Sequence, residues 1–276
     1  MTAPAAPPAP IPAAAVILLR DGPGGLEALM QRRREQASAF AGVLAFPGGK
    51  IAAIDSDPGF AAAADLGPPH PFEPARQLAA LRELFEECAI LLARDAGGAA
   101  GYAARESLLE HRERLDRDPA LWPALLAERG LRLAADALVP WARWVTPVFA
   151  PRRFDSTLFV AATPPGQAPI GGREADDYLW ARPADLLAAS DRGELDIVFV
   201  TRMNLMRLAQ YSSASEALAA GRRGPHPTIQ PRKVETPEGE MLVIPDEAPY
   251  PVRTLSFVHS SVMVEKARLA RAAKKA

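Results

Sequence analysis

Arg82-Glu83-Leu84-Phe85-Glu86-Glu87 sets three carboxylates at i, i+3 and i+4, positions that share one face of a helix. Through the same stretch runs an apolar stripe, Leu81, Leu84, Phe85, Cys88, Leu91 and Leu92. The spacing predicts a helix that buries one side in a core and gathers like charges on another. Each such pair of like charges costs roughly 0.2–0.5 kcal/mol when nothing screens it. A cation among the carboxylates removes that repulsion. Oxygen ligands without a sulfur or imidazole partner suit Mg²⁺ or Mn²⁺. The plain alternative is a solvated acidic face, so the neighbouring residues decide between the two readings.

Upstream stands Phe46-Pro47-Gly48-Gly49-Lys50-Ile51, a sharp turn after the apolar run Val43–Phe46. Glycines let backbone amides and carbonyls come close to a metal or a phosphate. Asp55 follows Gly49 after five residues, and Ala89-Ile90 follow the glutamates. Together these segments resemble the Nudix box: Gly, five residues, Glu, seven residues, then Arg-Glu-apolar-any-Glu-Glu-any-Gly-apolar. Gly49, Arg82, Glu83, Leu84, Glu86, Glu87 and Ile90 match it. Asp55 stands where the family has Glu, Ala89 where it has Gly, and Ser56 to Leu81 far exceeds the usual spacing.

An interrupted box is a mark of one Nudix branch, that of the peroxisomal coenzyme A diphosphatases and their bacterial relatives. Three later segments resemble the same branch. They are Arg117-Asp118-Pro119 with Leu125-Leu126, Trp141-Ala142-Arg143-Trp144-Val145-Thr146-Pro147, and Arg152-Arg153-Phe154-Asp155 with Ser156 in place of Thr. The resemblance implies an α/β (α+β) fold, a Nudix-type α/β/α sandwich around a mixed β-sheet, with a helical insertion. It implies a divalent-metal-dependent hydrolase that cleaves a pyrophosphate linkage in a nucleoside diphosphate derivative.

Carried over by motif position, Glu83, Glu86, Glu87 and the Gly48 carbonyl are the expected ligands of Mg²⁺ or Mn²⁺. Glu83 and Glu87 are the expected catalytic carboxylates, with Glu83 accepting a proton from the attacking water. Arg82 and Asp55 hold the helix and the loop together, and Gly49 makes the bend. Glu174 is a further candidate acid, in the loop before Tyr178-Leu179-Trp180. Arg33, Arg152 and Arg153 are candidate phosphate ligands, as is Arg32, because guanidinium suits bidentate binding; a solvent-facing arginine is the bland alternative. Coenzyme A or acyl-CoA leads the substrate candidates, although Ser38 occupies the arginine position of the coenzyme A signature around Gly42 and Phe46–Gly49. Nucleotide sugars, dinucleotides and nucleoside triphosphates stay open. So does a non-catalytic, ligand-binding Nudix sensor.

Composition narrows the partners. The 276 residues carry a formal net charge of −1, which provides no global field for nucleic acid or anionic lipid. The apolar run Ile11–Leu19 is too short to span a bilayer, and the first dozen residues lack a basic leader. Cys88 is the only cysteine, so no intrachain disulfide can form and a reducing, cytoplasmic setting is expected. On the apolar stripe, Cys88 reads as core rather than nucleophile. The four histidines are scattered and show no zinc-ligand spacing.

Along the chain, residues 1–12 are expected to be disordered or extended, because prolines repeat there. The Nudix domain is placed at 13–220, with insertions at about 53–75 and 95–135. Strands are expected at 13–20, 26–33, 43–46, 139–149, 157–162 and 178–180. Within 53–74, Asp55 and Asp57 read as turn-closing aspartates rather than ligands. The main helix should start at Glu73-Pro74 and run to about Arg94. Residues 103–130 should form one or two helices broken near Pro119 or Pro123; plain structural helices are the first reading, with substrate shaping or a homodimer contact beside it. A further helix starts at Pro183, and a single amphipathic helix is expected over 201–220. Residues 221–276 are read as an appendage, a β-hairpin against the core followed by a basic tail. Trp141 and Trp144 are read as core, with adenine stacking as the alternative.

Overall fold

The computed structural model describes residues 6–33, 42–95, 97–98, 102–171 and 175–259. The strands are β1 (Ile11–Gly22), β2 (Gly25–Arg33), β3 (Leu44–Ala45), β4 (Gly48–Lys50), β5 (Ala93–Asp95), β6 (Leu131–Leu133), β7 (Val139–Val145), β8 (Phe154–Ala162), β9 (Ala175–Ala181), β10 (Thr228–Ile229), β11 (Arg232–Thr236), β12 (Gly239–Val243) and β13 (Thr254–Ser256). The helices are α1 (Pro58–Ala62), α2 (Pro74–Cys88), α3 (Tyr102–Leu109), α4 (Arg112–Arg117), α5 (Trp122–Glu128), α6 (Pro183–Asp191), α7 (Phe199–Leu208) and α8 (Ala214–Arg223).

The main sheet runs β10-β7-β8-β1-β2-β3, with β4 paired to β1 and β9 paired to β2. It is mixed: β1 runs parallel to β8 and β10 parallel to β7, while β1 is antiparallel to β2 and β4. Alternating side chains point to opposite faces of a strand, and the core divides accordingly. Val16, Leu18 and Leu29 pack with Leu78, Leu81, Leu84 and Phe85 of α2. Ile17, Leu19, Ala28 and Met30 pack on the other face with Met203, Leu205, Leu208 and Ala217. A sheet with apolar residues on both faces must be covered on both, and this gives the three-layer α/β/α sandwich that was expected.

Several boundaries differ from the sequence reading. The first strand begins at Ile11, two residues early. The loop at 53–74 contains a 3₁₀ turn at Ala53–Ser56 and the short helix α1, which Asp57 caps by accepting from the Gly59 and Phe60 amides. Helix α2 stops at Cys88 rather than near Arg94, because Ala89 turns the chain in the left-handed region (φ 54°). That conformation is costly for any residue with a Cβ and accounts for the glycine this position has in the Nudix pattern. Residues 102–128 hold three short helices, α3 to α5; Pro119 opens a 3₁₀ turn between the last two, and Pro123 lies in the first turn of α5 rather than breaking a helix. The single helix expected over 201–220 is two helices, because Ser213 starts α8 by capping the Glu216 amide. Past residue 221 the chain adds β10 to the main sheet and builds the small sheet β11-β12-β13. The expected appendage therefore reaches into the core: Tyr250 is buried and hydrogen-bonds through its hydroxyl to Asn204 of α7 and from the Trp144 indole.

The Arg-Arg-Phe-Asp run anchors the front of α2. Asp155 on β8 accepts two hydrogen bonds from Arg143 of β7 and one from Arg76 of α2, each at 2.7 Å. Burial pushes the Asp155 pKa up, but the Arg143 and Arg76 hydrogen bonds and charges outweigh this and hold it below the usual value. A carboxyl with a depressed folded-state pKa stabilises the fold above its unfolded pKa, and the benefit is lost as pH falls through the folded value. Asp155→Asn is therefore expected to destabilise the protein by roughly 2–3 kcal/mol at neutral pH. The difference from wild type should shrink as acid is added below the ordinary carboxylate range. Urea unfolding of both proteins across pH checks it, and a difference independent of pH would reject the ionic explanation.

Candidate active site

The glutamates, the glycine bend and the loop aspartate come together at one end of α2. Gly48 and Gly49 lie on β4 beside Ala14 and Ala15 of β1. A Cβ on Gly48 would fall 2.4 Å from the Ala14 carbonyl oxygen, and one on Gly49 would fall 2.3 Å from the Glu83 carboxyl carbon. Backbone bars a Cβ at Gly48, whereas one at Gly49 would displace the Glu83 carboxylate, so the bend lies directly against the acidic helix. The Gly48 amide donates to Glu87 Oε2 at 2.6 Å. Gln31 of β2 donates its Nε2 to the same oxygen at 2.8 Å.

Arg82 is the hub. Its Nε and Nη2 hold the two oxygens of Asp55 at 2.9 Å each, its Nη1 reaches Glu83 and Glu86 at 2.9 and 2.7 Å, and Nη2 also donates to the Lys50 carbonyl. Asp55 is buried and takes the Ala52 amide as well. The shorter acid thus joins the loop to the helix as the family's glutamate is implied to do. Burial disfavours the charge on Arg82, yet the Asp55 hydrogen bond and the charges of Glu83, Glu86 and Asp55 keep it firmly protonated.

Glu86 is set apart from its neighbours. Its other oxygen accepts the Trp122 indole N–H, from α5, at 2.9 Å. Burial raises its pKa to about 7, against the pull of Arg82 and of the Trp122 hydrogen bond, and Glu83 adds to the rise. Glu86 is therefore tied to the protein on both oxygens, whereas Glu83 and Glu87 lie against the bend.

The end of α2 is closed by side chains distant in sequence. Arg112 donates to the Glu86 and Glu87 carbonyls and to Gly171; Arg105 donates to the Ala89 and Ala168 carbonyls; the Tyr178 hydroxyl bonds the Glu87 carbonyl. Cations at a helix C-terminus satisfy its orphan carbonyls and oppose its negative dipole end. Arg105 and Arg112 thus fix the last turn of α2 and tie it to the β8–β9 connection.

Other candidates fall elsewhere. Arg153 is buried and donates to the Thr146 and Pro8 carbonyls. Its guanidinium braces backbone through Nε and Nη1. Arg152 is exposed and lies over the Phe154 ring at 5.0 Å. Arg32 sits 3.6 Å from Asp177. Trp141 and Trp144 are core residues bonded to Asn204 and Tyr250. Ser38, Glu174 and the side chain of Arg33 lie outside the described residues. Cys88 is a buried free thiol, its pKa raised by burial and by Glu87.

Among the described residues, no three His, Cys, Asp or Glu side chains converge as a ready metal cage. The donor set nevertheless fits Mg²⁺ or Mn²⁺. It is all oxygen, Glu83 and Glu87 both face the bend, and the Gln31 amide oxygen beside Glu87 is buried with no hydrogen-bond partner.

A mixed sheet between helical layers, with a Gly-Gly bend packed on an Arg-Glu-x-x-Glu-Glu helix, is the build of a Nudix domain. Residues 55–208 match the sequence model of the NUDT19 Nudix domain. This is more than half of the chain, and the protein belongs to that family of Nudix hydrolases. It is 30% identical over 169 residues to the acyl-coenzyme A diphosphatase NUDT19 of Gallus gallus. That alignment takes in 55% of this chain and 45% of the relative, so the chain spans about half the length of the curated protein it matches. The crystal structure of a Nudix hydrolase from Alicyclobacillus acidocaldarius superposes with a TM-score of 0.68 at 29% identity, covering 79% of this chain and 99% of that one. No helix among the described residues is long and apolar enough to cross a membrane.

Proposed function

We propose that the protein is a divalent-metal-dependent hydrolase that cleaves the pyrophosphate linkage of a nucleoside diphosphate derivative, with coenzyme A or acyl-CoA as its substrate. The observation that carries this reading is the Glu87 carboxylate held by the Gly48 amide, beside Glu83 on Gly49. The similarity to the Gallus gallus acyl-coenzyme A diphosphatase supports the substrate class. When bound, Mg²⁺ or Mn²⁺ neutralises phosphate charge and makes a water easier to deprotonate.

The protein's own groups do the rest. Glu83, Glu86 and Glu87, with the Gly48 carbonyl, would hold the cation at the bend. Glu86 contributes to the charge of the site while Arg82 and Trp122 keep it oriented. Glu83 accepts the proton of the attacking water. Arg82 and Asp55 keep the loop and helix in register, so the reacting groups do not drift apart. Arg33, Arg152 and Arg153 are the phosphate-ligand candidates, and Glu174 the extra acid. A cytoplasmic setting fits the single buried thiol, Cys88. A homodimer through the helical insertion stays within this proposal.

The test is a panel of coenzyme A, an acyl-CoA, ADP-ribose, diadenosine polyphosphates and dNTPs with Mg²⁺ or Mn²⁺. Coenzyme A or its acyl ester is expected to be turned over fastest, with chelator abolishing the reaction. Preference for another member of the panel would replace the substrate. No turnover, with saturable metal-independent binding of one compound, would replace the enzyme by a sensor.

A further inference from the structure

Gln31 occupies a position where a strand in this sheet would ordinarily place an apolar residue. It sits in the interior of β2, opposite Ala45 of β3 and Tyr178 of β9. Its side chain points the same way as Leu29, toward α2. It is 0% exposed. Its Nε2 meets Glu87 Oε2 at 2.8 Å, while its Oε1 is buried without any hydrogen-bond partner. Buried polar atoms in folded proteins are nearly always paired, and an exception calls for a specific cause. Holding Glu87 needs only a donor, and the Gly48 amide already supplies one to the same oxygen. A carboxamide brings in addition a neutral oxygen, close to a carboxylate and out of reach of bulk water. Neutral amide oxygens are good ligands for hard divalent cations.

We infer that Gln31 Oε1 is an oxygen donor to the divalent cation at the bend, directly or through a water the cation carries, and that Gln31 is a metal-site residue lying outside the Nudix box. The inference rests on the metal-dependent reading above. The amide then has two uses: its nitrogen orients Glu87, and its oxygen faces the ion. Rotation of the amide would set oxygen against oxygen, an arrangement that only a cation between them favours.

Two variants test it, read by Mn²⁺ binding (the electron paramagnetic signal of free Mn²⁺) and by thermal unfolding with and without Mn²⁺. Gln31→Met keeps the length and removes both polar ends, and its soft sulfur does not suit Mn²⁺. It is expected to weaken Mn²⁺ binding by about 10- to 100-fold and to shrink the metal-induced rise in Tm. Gln31→Glu keeps an oxygen for the cation but sets a second buried carboxylate against Glu87. It is expected to lower Tm without metal and to show a larger Mn²⁺-induced rise than wild type. A residue that only braced the core would change metal-free Tm in both variants and leave Mn²⁺ affinity alone. Wild-type Mn²⁺ affinity in Gln31→Met overturns the inference and spares the metal-dependent reading. Absence of Mn²⁺ binding by the wild-type protein overturns both.

Discussion

Glu87→Gln is expected to lower kcat/KM for the preferred pyrophosphate substrate by about 10³-fold or more while the protein stays folded. Cation stabilisation of charge in such transition states amounts to several kcal/mol, and each 1.4 kcal/mol is about a tenfold change in rate. Glutamine keeps the shape of the side chain, and its oxygen can still accept from the Gly48 amide. The neutral group loses the charge-assisted part of that bond, which costs about 1 kcal/mol of stability. A steep loss of rate with a small change in Tm is therefore the expected pattern. Circular dichroism, thermal unfolding and steady-state kinetics in Mg²⁺ give both quantities. Near wild-type turnover in a folded variant would remove Glu87 from the chemistry, and with it the assignment of the bend as the site.

Arg82→Met should produce the opposite pattern, a large loss of stability. The Asp55 side chain is fully buried and takes both of its charged contacts from Arg82; Glu86 is nearly as deep and shares the same guanidinium. Removing one partner of a buried ion pair leaves the other charge unpaired, at a cost of roughly 3–5 kcal/mol. For a chain of this size that corresponds to a fall in Tm of roughly 6–20 °C. Adding Asp55→Asn to Arg82→Met removes one stranded charge and should recover part of the loss, a coupling that a double-mutant cycle measures. Arg82→Lys should rescue poorly, because a single ammonium cannot bridge Asp55 in two-toothed fashion and still reach Glu86. If Arg82→Met unfolds with the wild-type profile, the hub has no structural role and its contacts are ornaments of the site.

Much of this site was legible in the sequence because its parts are local. The i, i+3, i+4 glutamates declare a helical face whatever surrounds them. The paired glycines declare a close approach, and the tie from Asp55 to that helix is what the resemblance to the Nudix box implies rather than anything its spacing shows. Long-range partners left no such signature. Trp122 lies 36 residues from Glu86 and was visible only as a bulky apolar residue. Arg105 and Arg112 looked like ordinary charges on helices, and nothing in their spacing says that they meet the end of α2. Gln31 stands between an apolar run and three arginines, where an amide reads as the polar end of a strand. The early end of α2 depends on the backbone of Ala89, which a periodicity of apolar residues carries straight through. The division of residues 199–223 into two helices had a local cue in Ser212-Ser213, outweighed by the continuous amphipathic pattern around it.

The closure of α2 by Arg105, Arg112 and Trp122 bears on how such domains can be recombined. The turn that carries the glutamates rests on side chains from helices α3 to α5, so the acidic helix does not stand alone. Grafting it by itself onto another domain would transplant the carboxylates and leave their footing behind.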